Sequence, residues 1–151
     1  MIFPLGLALT LVTVLVPSVS RWATAQEKRI LEQGVPLSPE LLTFAGSLGI
    51  DKPEDVRYLA ANPIPSPVPL FAQELARKWG AQIITPAGMT LGRGIYILPG
   101  HEMVLRHELV HVEQYQRLGG IPGFMREYLL ECLTHGYMDS PLEREARERS
   151  H

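Results

Sequence analysis

His107-Glu108-Leu109-Val110-His111 is the stretch on which the reading of this chain turns. On an α-helix, residues four apart are offset by about 40° around the axis, so two imidazoles at that spacing project from neighbouring turns of one face and converge on a single metal ion. That is half of a zinc site. Glu108 is badly placed to join the same coordination sphere and well placed to accept a hydrogen bond from a water in its open position, which reads as a general base.

The motif carries this meaning only on a helix, and its flanks predict one. Met103 to Leu118 contains neither Gly nor Pro, and Gly119-Gly120 then supplies a stop. Glu102 with Arg106, and Glu113 with Arg117, are acid-to-guanidinium pairs at i, i+4 that mark a solvated face. Val104, Leu105, Leu109, Val110, Val112 and Tyr115 cover much of the remainder, so the helix is expected to be buried on most sides.

Composition bounds what such a helix can belong to. A chain of 151 residues forms one domain at most, with a modest core. A net charge of −2 with no basic tract argues against nucleic acid as a partner. The single cysteine, Cys132, excludes an intrachain disulfide and reads as a buried thiol.

Residues 1–20 carry no charged side chain, and Leu5 to Val16 is almost continuously apolar. This hydrophobic N-terminal segment is read as a signal or membrane anchor ahead of a domain spanning 21–151. Ala23-Thr24-Ala25 has the small-x-small form of a signal-peptidase site, whereas Arg21, Lys28 and Arg29 on the C-terminal flank favour a retained anchor with the domain on the cytoplasmic side. Pro4 and Pro17 leave a stretch that is short for a span, which keeps open a helix packed on the domain. The protein is therefore expected to be membrane-associated or secreted, on a side the sequence does not fix.

Between the two regions the sequence alternates short helices and strands. Helices are expected over 21–33, from an N-cap at Ser38 to Gly49, and over 70–79; a strand is expected over 56–61. Pro63, Pro65, Pro67 and Pro69 form a stiff extended linker. Two strands follow, 82–85 and 91–98, joined by Pro86-Ala87-Gly88. Gly92 and Gly94 leave one side of the second strand bare, marking either a bulge or an edge offered to an extended peptide beside the metal. After the metal helix, a packing helix opens at Ile121-Pro122, and Ser140-Pro141 starts a final helix to Arg149. The sum is an α+β domain, mainly helical with a small sheet.

A catalytic zinc needs a third protein ligand and an open position. Gln114, Arg117, His135, Glu143, Glu145 and His151 are the candidates downstream of His111. Gln114 and Arg117 stand where the metzincin pattern requires Gly and His, which excludes that class and leaves a glutamate on a later helix.

Here the chain resembles the gluzincin zinc metallopeptidases, and in size their minimal members. The resemblance rests on His107-Glu108-Leu109-Val110-His111 and on Pro141-Leu142-Glu143-Arg144-Glu145-Ala146, and it covers about the last 60 residues. It implies a zincin-like fold, Zn2+ held by His107, His111 and Glu143, Glu108 as base, and peptide or protein substrates. The family usually keeps an acid where this chain has Arg147, a partner that orients a zinc histidine; Glu145 and Asp139 are the candidates to replace it. His135 and Tyr137 are candidates to stabilise an oxyanion, though helix-end structural roles are the simpler reading for both. The expected activity is zinc-dependent peptide hydrolysis; the alternative is a catalytically inert, zinc-stabilised domain acting as a membrane-associated binding module.

Overall fold

A computed structural model of the protein describes residues 2–67 and 86–151. The expected helix over 70–79, the expected strand over 82–85 and Pro69 lie outside the described residues. Among those described, the chain forms five α-helices and one four-stranded mixed sheet, an α+β architecture with an apolar N-terminal helix. In chain order these are α1 (Leu5–Gln33), β1 (Val35–Pro36), α2 (Pro39–Ser47), β2 (Arg57–Ala60), β3 (Gly88–Leu91), β4 (Gly94–Ile97), α3 (Leu105–Arg117), α4 (Ile121–His135) and α5 (Pro141–Arg149).

The sheet order is β1-β2-β4-β3, with β2 and β4 parallel and the outer pairs antiparallel. β4 is central and buried along its whole length. Its side chains obey the period of two. Ile95 and Ile97 enter one cluster with Phe44 of α2 and Leu105, Leu109 and Val112 of α3, whereas Tyr96 enters the other, with Ala23 and Ile30 of α1 and Phe124 of α4. The motif helix thus lies against one face of the sheet and α1 against the other.

The expected strand over 91–98 is in fact a hairpin. Leu91 pairs with Gly94, and Gly92 takes φ +67° in the two-residue loop between them. Glycine at the first loop position supplies the positive φ that such a hairpin requires. A side chain there would also collide with the Glu27 carboxylate, which accepts a hydrogen bond from Arg93 N–H at 2.7 Å. Among the described residues the outer strands are consequently β1 and β3, and β4, which carries most of the 91–98 segment, is interior.

α1 runs unbroken through residue 20 and through Pro17, although the proline removes one backbone hydrogen bond. Ala8, Val12, Val16, Ser20 and Ala23 form one buried stripe on both sides of it, and that continuous packing holds the helix together. The stripe lies along α4, and Phe3 N–H donates to the Leu133 carbonyl at 2.7 Å. On the far side Leu7 and Val14 are exposed. At 29 residues, α1 is long and apolar enough to cross a membrane, by length and composition.

Candidate metal centre

α3 begins after a 3-10 turn over Glu102–Val104 and ends at Arg117 ahead of Gly119-Gly120. The turn displaces Glu102, and Arg106 pairs with Glu40 of α2 at 3.0 Å instead. The i, i+4 contact between Glu113 and Arg117 is present at 3.7 Å. Glu108, Leu109, Val110, His111, Val112, Gln114 and Tyr115 are all buried.

α5 brings the third donor. Ser140 caps its N-terminus by accepting from Glu143 N–H at 3.2 Å, and the Glu131 carboxylate accepts from Leu142 N–H at 2.8 Å. With those two N–H groups satisfied, Glu143 sits in the first turn, where the helix dipole favours a carboxylate. Its Oε2 lies 3.1 Å from His107 Nε2 and its Oε1 3.3 Å from His111 Nε2, while the two Nε2 atoms are 3.2 Å apart.

That triangle can be tested against a metal. Zinc bonds of about 2.0–2.1 Å at tetrahedral angles hold neighbouring donors about 3.3–3.4 Å apart. The two imidazole nitrogens stand close to that spacing, each faces a different oxygen of Glu143 at a similar distance, and the three residues form a group able to hold a metal ion. The hydrogen-bond chemistry fits as well. His111 Nδ1 lies 2.8 Å from Gln114 Oε1, an acceptor, so the ring proton belongs on Nδ1 and Nε2 turns a lone pair to the centre. Between that nitrogen and the Glu143 carboxylate there is room for a metal ion or, without one, for a second ring proton. His107 is the most exposed of the three, at 24% of its side chain, which leaves the centre an approach from solvent.

The electrostatics follow from these contacts. Burial works against ionisation of Glu143, yet hydrogen bonds with His107 and His111, the field of His111 and the Tyr128 hydroxyl at 2.9 Å outweigh it and hold the carboxyl well below the usual range. Burial raises the Glu108 carboxyl above its ordinary value, opposed by His111 and by the Thr90 hydroxyl, 2.7 Å from Oε2. The His111 ring is shifted upward: burial opposes this, and Glu143 and Glu108 prevail.

The other candidates fall elsewhere. Glu145 is held by Arg117, Gln114 and Arg149 at 2.8, 2.8 and 2.9 Å, and does not join the triangle. Gln114 touches His111 only through the far ring nitrogen. His135 is exposed and pairs with Thr134. Tyr137 feels the charge of both Glu143 and Glu108, which together with burial raise its hydroxyl. Arg147 donates to the Met138 carbonyl at 2.6 Å, bracing the loop that carries Tyr137.

Thr90 and Tyr128, in contact with the site, were missed from sequence, and Gln114, weighed there as a ligand, bonds a ligand instead. Thr90, Gln114 and Tyr128 each bond one of the four motif-defined groups. Tyr128 belongs to a near-parallel stack with Phe124 and Tyr115, whose hydroxyl in turn donates to the Thr90 carbonyl at 3.0 Å. Only Gln114 had a local signal, one helical turn beyond His111. Comparison of the chain with protein-family models, curated proteins and solved structures returns no match.

Proposed function

We propose that the protein is a zinc-dependent peptidase with Glu108 as its general base. The observation that supports this most strongly is the triangle of His107, His111 and Glu143 at 3.1–3.3 Å, with a buried carboxyl of raised pKa one residue from the first imidazole. When bound there, zinc lowers the pKa of a coordinated water toward neutrality and polarises a substrate carbonyl.

The remaining steps belong to the chain. Glu108 takes a proton from the attacking water and returns it to the departing amine; a base whose pKa lies above that of a free carboxylate does both more readily near neutral pH. Thr90 fixes one oxygen, Oε2, and leaves Oε1 beside Gly88. Tyr137 is the candidate donor to the developing oxyanion.

The outer edge of β3 favours an extended substrate. Leu98 N–H donates to the Ala87 carbonyl, so by the alternation of an antiparallel ladder Ala87, Met89 and Leu91 turn their backbone groups to β4, and Gly88 and Thr90 turn theirs outward. The Thr90 carbonyl is taken by Tyr115. The Gly88 groups, next to Glu108, would bond a peptide laid along the edge.

α1 supports a membrane location. Leu7 and Val14 lie about 180° around the helix from the stripe packed on α4. α4 brings Glu127 and Glu131 beside Phe3 and Leu5. Charged groups alongside the apolar end suit a helix resting on a bilayer surface better than one passing through it.

Replacing Glu108 by Gln tests the enzymatic reading. The variant is expected to retain zinc and to lose at least about 100-fold in kcat/KM on a broad peptide library. Equal turnover in both proteins would remove Glu108 as base. No turnover by the zinc-loaded wild type would favour an inert zinc-stabilised binding domain.

A further inference from the structure

Gln114 is fully buried, and two of its three polar contacts are to oxygens that can only accept. Its Nε2 lies 3.0 Å from the Leu142 carbonyl and 2.8 Å from Glu145 Oε2. Both are acceptors: the first by constitution, the second because Arg117 and Arg149 grip Glu145 at 2.8 and 2.9 Å and keep it ionised. The amide must therefore direct its NH2 toward α5. Its carbonyl oxygen then faces His111 Nδ1 at 2.8 Å. Turning the amide over would set an oxygen against two oxygens and an N–H against the imidazole.

We infer that Gln114 is the positioning residue of the metal centre, fixing His111 as the Nδ1–H tautomer so that Nε2 presents its lone pair to zinc, and that Glu145, anchored by Arg117 and Arg149, fixes Gln114. The inference rests on the zinc reading above and adds a role for residues that contact neither metal nor substrate. The relay links three points of the fold. Arg117 is in the last turn of α3, Glu145 and Arg149 are on α5, and Gln114 lies one turn after His111. It also ties α5, which carries Glu143, to the helix that carries both histidines. A metal ligand whose second nitrogen donates to a fixed acceptor is a better donor and is held in one orientation. At the position where the resembling peptidases carry an orienting acid, Arg147 instead bonds the Met138 carbonyl, and the orienting contact comes from within α3.

The tautomer is read directly from long-range proton–nitrogen correlation spectra of metal-free protein labelled with 15N at histidine, in a Glu143→Ala background that removes the acceptor 3.3 Å from Nε2, at a pH where the rings are neutral. In that background His111 is expected to carry its proton on Nδ1 and to shift to Nε2–H when Gln114→Leu is added; in the otherwise native chain Gln114→Leu is expected to weaken zinc affinity by chelator competition about 10–100-fold. Glu145→Ala leaves the Gln114 amide held by the Leu142 carbonyl alone and is expected to weaken zinc affinity by less than Gln114→Leu does; an unchanged affinity removes Glu145 from the relay. A His111 protonated on Nε2 with Gln114 in place and Glu143 removed, or an Nδ1–H signal that persists when Gln114→Leu is added, overturns the inference. Because the spectrum needs no metal, the two readings fail separately. The expected tautomer in a protein that takes up no zinc defeats the peptidase and leaves the orientation of His111 standing, whereas zinc uptake with the opposite tautomer defeats only the role of Gln114.

Discussion

At the scale of single residues, the site depends on a missing side chain as much as on those present. A Cβ at Gly88 would come within 2.8–3.0 Å of the Glu108 carboxylate, which is buried and held by Thr90. Gly88→Ala should therefore push that carboxylate off its position while leaving the imidazoles untouched: zinc content stays at wild-type level and kcat falls by about tenfold or more, as for a displaced catalytic group. An unchanged kcat would mean that Glu108 tolerates the movement. His107, Glu108 and His111 were legible in the sequence because helical periodicity alone brings them together. Glu143 was legible only through the resemblance of its surroundings. Thr90 and Tyr128 were not legible, because their contacts with Glu108 and Glu143 span 18 and 15 residues and follow from how β3 packs on α3 and α4 on α5.

At the scale of elements, α5 is where packing and electrostatics meet. Glu145 faces Arg117, Gln114 and Arg149, and these contacts outweigh its partial burial to hold its pKa below the ordinary value. The sign then follows. A carboxylate with a lowered folded pKa stabilises the fold above its unfolded value of about 4.3, and that contribution fades as the pH falls through the folded value. In metal-free protein, Glu145→Gln should lower the urea midpoint at pH 7, and the gap to the wild type should narrow as the pH falls below about 4; a gap of constant size down to pH 3 would show that charge is not what Glu145 contributes. The helices were easier to place from sequence than the strands. Ser38 caps α2 and Ser140 caps α5 as their positions imply, but Leu91-Gly92-Arg93-Gly94 was read as one strand with a bare side. The two-residue loop opening on glycine is a hairpin signal, and the flanking apolar residues of β3 and β4 disguised it as continuous strand.

At the scale of the whole molecule, α1 joins the two halves of the account. Its C-terminal half is part of the core through Ala23 and Ile30, and its N-terminal half exposes Leu7 and Val14. If that face meets lipid, each aliphatic side chain contributes about 1.5–3 kcal/mol on burial. The wild type should then float with vesicles of mixed zwitterionic and anionic phospholipid, and a Leu7→Glu, Val14→Glu double variant should remain at the bottom of the gradient. Equal flotation of the two, or no flotation of either, would remove the membrane role. The sequence told of an apolar segment here without telling where it rests, because the stripe Ala8, Val12, Val16 acquires meaning only against α4. If a carboxylate on α5 completes a zinc site begun by two imidazoles on α3, zinc retention depends on Glu143. The most direct test is zinc content after equilibration with one equivalent of metal and exhaustive dialysis, compared across wild type, Glu143→Ala and Glu145→Ala. The account predicts about one zinc per chain in the wild type, the larger loss in Glu143→Ala and the smaller in Glu145→Ala. Zinc absent from the wild type, or retained undiminished by Glu143→Ala, would contradict it.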